Sequence, residues 1–246
     1  MTLSQIQTLV SQRLNESAAL GGPTFYPAAE INAAVNEANR FFCLLTLALE
    51  ATKSWTIPPA TVFFHMLAVS SAGSLLFPDW LVPLRLRNVS SGLKIRPVRL
   101  ADLTSLDSVW PSAPGAPTRY NHAGADLLAL YKQPAVAGTV LNVTYARAPV
   151  ALIAPQDVPE IPVEYHQSLV NYGIYRMRQV EGGQPFAVTL PLLAAFLEDA
   201  RTYAAYVRTR SLAAGYDRVP FELGSFDMSR LLALGNSTLL PGKKAA

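Results

Sequence analysis

Residues 160–183 read EIPVEYHQSLVNYGIYRMRQVEGG, a histidine, three tyrosines and two arginines in one short run. Such a density of titratable and aromatic side chains fits either an active-site lining or one helix of a packed bundle. Periodicity decides between them. Tyr165, Leu169, Tyr172, Gly173, Ile174, Met177 and Val180 recur at three and four, so one stripe of a helix is apolar. Pro162 marks its start and Gly182-Gly183 its C-terminus. His166 then reads as a helix-start residue. Tyr172, Tyr175, Arg176 and Arg178 become candidates for contact with neighbouring helices or subunits.

The same grammar holds on either side. Leu3, Ile6, Leu9, Val10 and Leu14 predict a first helix over residues 2–15, stopped by Gly21-Gly22-Pro23. Tyr26-Pro27 opens a second, with Ile31, Val35, Ala38, Phe41, Phe42, Leu45 and Leu49 on its buried face. A last long helix is expected over 186–213, with Leu193, Phe196, Leu197, Ala200, Tyr203, Ala204 and Val207 as its apolar face. Pro191 either kinks that helix or places its start after Thr189.

Between these helices, residues 55–149 break into short β-rich pieces separated by Pro, Gly, Asn and Ser. The pieces are 55–58, 81–88, 93–98, 127–131 and 140–147, and Ser90-Ser91-Gly92 makes a turn between two of them. This block predicts a small antiparallel sandwich or barrel. The expected fold class is α+β: two N-terminal and two C-terminal helices forming one bundle, an inserted β domain, and an extended C-terminal tail. The expected boundaries are 1–53 and 160–214 for the bundle, 54–159 for the insert and 215–246 for the tail.

Composition narrows the function. Half of the 246 residues are apolar and only 15% are charged, lean for a free monomer's surface, which points to surface covered by partners. Nineteen prolines against fourteen glycines favour rigid connections over flexible linkers. A net charge of +3 does not by itself imply nucleic-acid binding. The single cysteine, Cys43, excludes an internal disulfide framework and reads as a buried thiol, consistent with a reducing compartment. No signal peptide is expected. The longest apolar run, 41–49, falls far short of the roughly eighteen residues that a membrane span needs.

Catalytic motifs are missing. Six residues separate Gly235 from Gly242-Lys243, against the four of a phosphate-binding loop, and no Ser or Thr follows. There is no G-x-G-x-x-G and no nucleophile elbow. His65, His122 and His166 lie in separate segments without metal-ligand spacing. The acids offer only Asp157 and Glu160 in a proline-rich loop, and the adjacent Glu198-Asp199, which diverge on a helix. A hydrolase using His166 with Glu164 or Asp157 is the enzymatic rival. The paired arginines Arg85/Arg87, Arg176/Arg178 and Arg208/Arg210 read as solvated faces or subunit salt bridges before phosphate contacts. No catalytic residue, metal or cofactor is expected.

Several phrases, in their order, carry a resemblance: YPAAEINAAVNEA from Tyr26, PLRLR from Pro83, APTRY from Ala116, VTYARAP from Val143, DVPEIPVEYH from Asp157 and YGIYRMRQVEGGQ from Tyr172. Together they resemble the head-to-tail adaptor (connector) proteins of tailed bacteriophages, of the podovirus-like tail tubular adaptor type, over about residues 2–218. The resemblance implies a homo-oligomeric ring, most often of twelve subunits, docked beneath the portal protein and above tail tube or nozzle proteins. Genomic DNA would pass through its lumen without sequence-specific binding, and no membrane would be involved. The protein would belong to the virion neck, assembled in the host cytoplasm. The C-terminal segment would reach the portal, with Phe221, Phe226, Leu231 and Leu232 as its anchors. Other readings are a head-closure or tail-terminator ring, or a DNA-binding module.

Overall fold

The computed structural model describes residues 1–14, 25–68, 76–123, 126–134, 138–181 and 188–216. The fold is α+β, as the periodicities require. Its contacts divide the described chain into a helical unit, Met1–Thr46 with Pro149–Tyr206, and a sheet unit, Leu47–Ala148 with residues 207–216.

In the helical unit α1 spans Leu3–Arg13, α2 Ala28–Thr46 and α4 His166–Glu181, while α5, Leu190–Ala213, contributes its residues through Tyr206. A capping box starts α1: Thr2 Oγ1 accepts from the Gln5 amide at 3.3 Å, and Gln5 Oε1 accepts from the Thr2 amide at 2.9 Å. Pro27 precedes α2, and its carbonyl accepts from Glu30 and Ile31. Leu47, at φ 49°, turns the chain out of α2. The fifth helix begins after Thr189, whose carbonyl accepts from Leu192 and Leu193, so Pro191 sits harmlessly in the first turn. Cys43 is fully buried.

Two features lock these helices together. A Cβ built on Gly173 would lie 3.2 Å from Val10 Cγ2 and 3.9 Å from Val35 Cγ2, so α4 meets α1 and α2 tightly at a position without a side chain. Phe196 is fully buried with its ring 5.8 Å from Phe41, 5.9 Å from Phe42 and 4.9 Å from Tyr172. Burying one such ring contributes about 1.5–3 kcal/mol before packing is counted.

The sheet unit is one seven-stranded sheet in the order β1-β7-β3-β4-β5-β6-β2. The strands are β1 Glu50–Thr56, β2 Phe63–His65, β3 Trp80–Asn88, β4 Lys94–Pro97, β5 Arg119–Ala123, β6 Leu127–Tyr131 and β7 Val140–Arg147. Inner side chains of all seven meet in one cluster, among them Trp55, Phe64, Leu86, Ile95, Tyr120, Leu128 and Val143, so the sheet curls on itself. Phe77 centres the aromatic part, with ring centroids 5.4 Å from Trp80 and 5.2 Å from Tyr145.

The antiparallel expectation has one exception, β4–β5, which is parallel. Parallel strands need a crossover, and α3, Leu100–Leu106, supplies it. Pro83 sits at a register shift of β3 against β7, at a point where β4 does not reach. The expected turn between β3 and β4 is present: Asn88 Oδ1 accepts from Ser90 and Ser91, and Gly92 takes φ +68°.

Candidate functional site

The run from Glu160 begins as a loop, tightens into a 3-10 turn at Val163–Tyr165 and continues as α4. His166 is buried at its head. Its Nε2–H donates to the Ile161 carbonyl at 3.0 Å, and the Met1 amino nitrogen lies 2.7 Å from Nδ1. Burial pushes its pKa down. With both ring nitrogens engaged, the imidazole does not meet Ser168. That hydroxyl donates instead to Asp199, tying α4 to α5.

The four candidate contact residues divide. Tyr172 is an internal strut: its ring is buried against Phe41 and Phe196, and its hydroxyl donates to Glu37 Oε1 at 2.8 Å. Burial first, and then this bond, push its pKa well up. Tyr175 is half-buried with its ring 5.8 Å from that of Tyr172. Arg176 pairs with Glu37 Oε2 at 3.1 Å and donates to Gln179 Oε1 at 2.7 Å. Arg178 donates to the Leu14 carbonyl at 3.3 Å. Tyr172 and Arg176 thus converge on one α2 carboxylate, beside a shallow hollow of about 320 Å³ lined by Glu37, Arg40, Phe41, Leu44 and Tyr172. The tail candidates Phe221, Phe226, Leu231 and Leu232 lie outside the described residues.

The acids of the proline-rich loop serve the loop itself. Asp157 Oδ2 accepts from the amides of Ile153 at 2.7 Å and Ala154 at 2.8 Å. Those bonds hold its pKa below the usual carboxylate range. Glu160 Oε2 accepts from the Val150 amide at 2.9 Å. The Asn36 amide of α2 brackets Leu152, accepting from its N–H at 2.7 Å and donating to its carbonyl at 3.0 Å. Residues 150–160 form no ladder, so side chains satisfy these amides instead. From sequence, Asp157 and Glu160 read as an acid pair, with Asp157 also a partner for His166, and not as loop acceptors. The signal was there: an Asp set between Pro155 and Pro159, with open amides upstream.

In the sheet unit, a hollow of about 460 Å³ is lined by Glu50, Arg147, Arg210 and Tyr216 among others. Glu50 accepts from Arg210 at 2.7 Å and from the Tyr216 hydroxyl, and Arg85 lies over the Tyr216 ring at 5.3 Å. These polar groups satisfy one another. A second hollow, of about 600 Å³, is walled mainly by apolar residues such as Trp55, Pro58, Phe63, Phe64 and Leu76. His65 on its wall pairs with Asp126 at 3.2 Å. Among the described residues, no group of three His, Cys, Asp or Glu could hold a metal ion, and no helix is long and apolar enough to cross a membrane.

What these side chains build is packing, loop support and outward-facing surface, the equipment of a structural protein. The chain belongs to the SU10 adaptor protein family, whose model matches residues 1–219. It is a bacteriophage adaptor, a structural component of the virion neck that interacts with other neck or tail proteins. No curated protein matches it.

Proposed function

We propose that the chain is one subunit of a closed ring, of twelve copies, that joins the portal to the tail and continues the DNA channel, in the manner of a podovirus-like tail tubular adaptor. The observation that carries the reading is the family match over residues 1–219, which takes in both the helical unit and the sheet unit. Helices at both ends of the chain and an inserted sheet also favour an adaptor over a predominantly β head-closure or tail-terminator ring. A ring subunit works through geometry. It matches the portal above and tail tube or nozzle proteins below, and it lets genomic DNA pass without sequence-specific grip. Tyr175 and Arg176, half-exposed on α4, are assigned to contacts between subunits, and the segment beyond residue 216 to portal docking. Assembly takes place in the host cytoplasm before the ring joins the neck. The test is native mass measurement and negative-stain imaging of the purified protein, alone and mixed with its portal protein. Twelvefold rings on the portal are expected; a lasting monomer that never joins the portal overturns the reading.

A further inference from the structure

The net charge of +3 conceals a division. Residues 1–46 and 149–206 carry nine Asp and Glu against five Lys and Arg, a balance of −4. Residues 47–148 and 207–216 carry five against eleven, a balance of +6, and residues 217–246 supply the remaining +1. The helical unit is acidic and the sheet unit basic, and on each the excess charge sits beside exposed apolar side chains.

On the helical unit the place is the proline-rich loop. No Lys or Arg occurs between Arg147 and Arg176, whereas Asp157, Glu160 and Glu164 all do. Val150, Ile153, Val158 and Val163 stand exposed among them, Ile153 at 80%. The bonds from Asp157, Glu160 and Asn36 hold this ridge in one shape. On the sheet unit, Arg85 and Arg87 of β3, Lys94 and Arg96 of β4, and Arg119 of β5 share the face opposite Leu86, Ile95 and Tyr120 of the core. The register sets Arg87 opposite Lys94 and Arg96 opposite Arg119. Like charges directly opposed destabilise a sheet, so two such pairs on adjoining strands call for an anionic partner. Arg85 lies over the Tyr216 ring, and Lys94 donates to the Gly215 carbonyl at 3.0 Å. The Arg87 and Arg96 side chains form no hydrogen bond or ion pair among the described residues. Val89 and Leu93, 49% and 67% exposed, flank them at the β3–β4 turn.

We infer that these two surfaces bind each other between copies: the acidic, apolar ridge of one copy seats on the cationic sheet face of the next. The inference rests on the ring reading and deepens it by naming the two faces. Two different faces repeated from copy to copy make a heterologous contact, the kind that closes into a ring. A phosphate backbone would also answer the arginines, but it has no use for Val89 and Leu93. The ridge answers both the charge and the apolar rim.

The experiment is sedimentation and native mass measurement of the full chain, with and without portal protein, at about 0.1 M and about 1 M salt, where the screening length falls from about 10 Å to about 3 Å. Variants are R87E/R96E, E164R, and the combination R87E/E164R, each checked for an unchanged melting profile. High salt and each single-face variant should weaken self-association about tenfold or more, and the combination should associate more tightly than E164R alone. Assembly indifferent to salt and to both reversals overturns this inference alone; no assembly under any condition overturns the ring reading with it. A third outcome also overturns it: R87E/R96E abolishes binding to a random-sequence DNA duplex while assembly is unchanged, which marks the cationic face as a nucleic-acid surface.

Discussion

Replacing Tyr172 by Phe and by Ala separates a strut inside the helical unit from a residue kept for a neighbour. The phenylalanine retains the ring against Phe41 and Phe196 and loses only the bond to Glu37. A hydrogen bond to a charged acceptor contributes about 1.5–3 kcal/mol. Glu37 is 48% exposed, so water replaces much of what is lost, and the expected cost falls to about 0.5–1.5 kcal/mol. Alanine empties a ring-sized volume among the aromatic side chains of Phe41, Tyr175 and Phe196, and should cost about 3–5 kcal/mol. Denaturant unfolding of the purified protein measures both. Tyr172 also carries a sign in alkali. Because burial holds its folded pKa above the ordinary tyrosine value of about 10, its contribution is full below pH 10 and is lost as the pH rises beyond it. The phenylalanine variant removes that share of the alkaline loss. If alanine costs no more than phenylalanine, or less than about 1 kcal/mol, Tyr172 is not a core strut and the packing account of α4 fails.

Two further outcomes follow from the same unit. Gly173→Val should destabilise by about 1–3 kcal/mol through overpacking against Val10, while Gly173→Ala stays nearer neutral because alanine's helix preference, about 1 kcal/mol, offsets the tighter contact; thermal melts of both variants check the order. His166, whose pKa burial lowers, should contribute stability that is full above about pH 6.5 and is lost as the pH falls through its depressed folded value; H166Q should flatten the acid slope of denaturant-measured stability, and identical slopes would refute the assignment.

The helices were legible because each carries a long stripe at one period, and a stripe of five to seven apolar positions survives local noise. Ser90, Ser91 and Gly92 announced their turn by residue type alone, while the part of Asn88 as its acceptor came from the structure. Three elements of the sheet unit were not legible. Phe63, Phe64 and His65 make too short a strand to alternate, and only Phe64 of them is buried. Strand β5 has one fully buried residue, Tyr120, so its identity as a strand comes from partners on β4 and β6. The turn of helix in α3 buries Leu103 alone, leaving no stripe to read. For the candidate site, the link from Tyr172 to Glu37 spans 135 positions, and no local pattern encodes it. The arginine alternation on β3 was visible, but its extension to Arg119 needs the parallel register, which is a tertiary fact. A net charge read over the whole chain averaged away the separation between acidic helices and basic strands.

The fastening of residues 150–160 by Asp157, Glu160 and Asn36 has a thermodynamic consequence. Fixing a backbone residue costs about 1–2 kcal/mol of conformational entropy. A loop that ordered only on meeting its partner would charge that cost against the encounter, weakening each contact. Here the ordering accompanies folding of the helical unit, because its hydrogen-bond acceptors lie within the loop and on α2. Exposed valines on a fixed ridge are presented in their final spacing before anything arrives, so the surface can recognise its partner as a nearly rigid body.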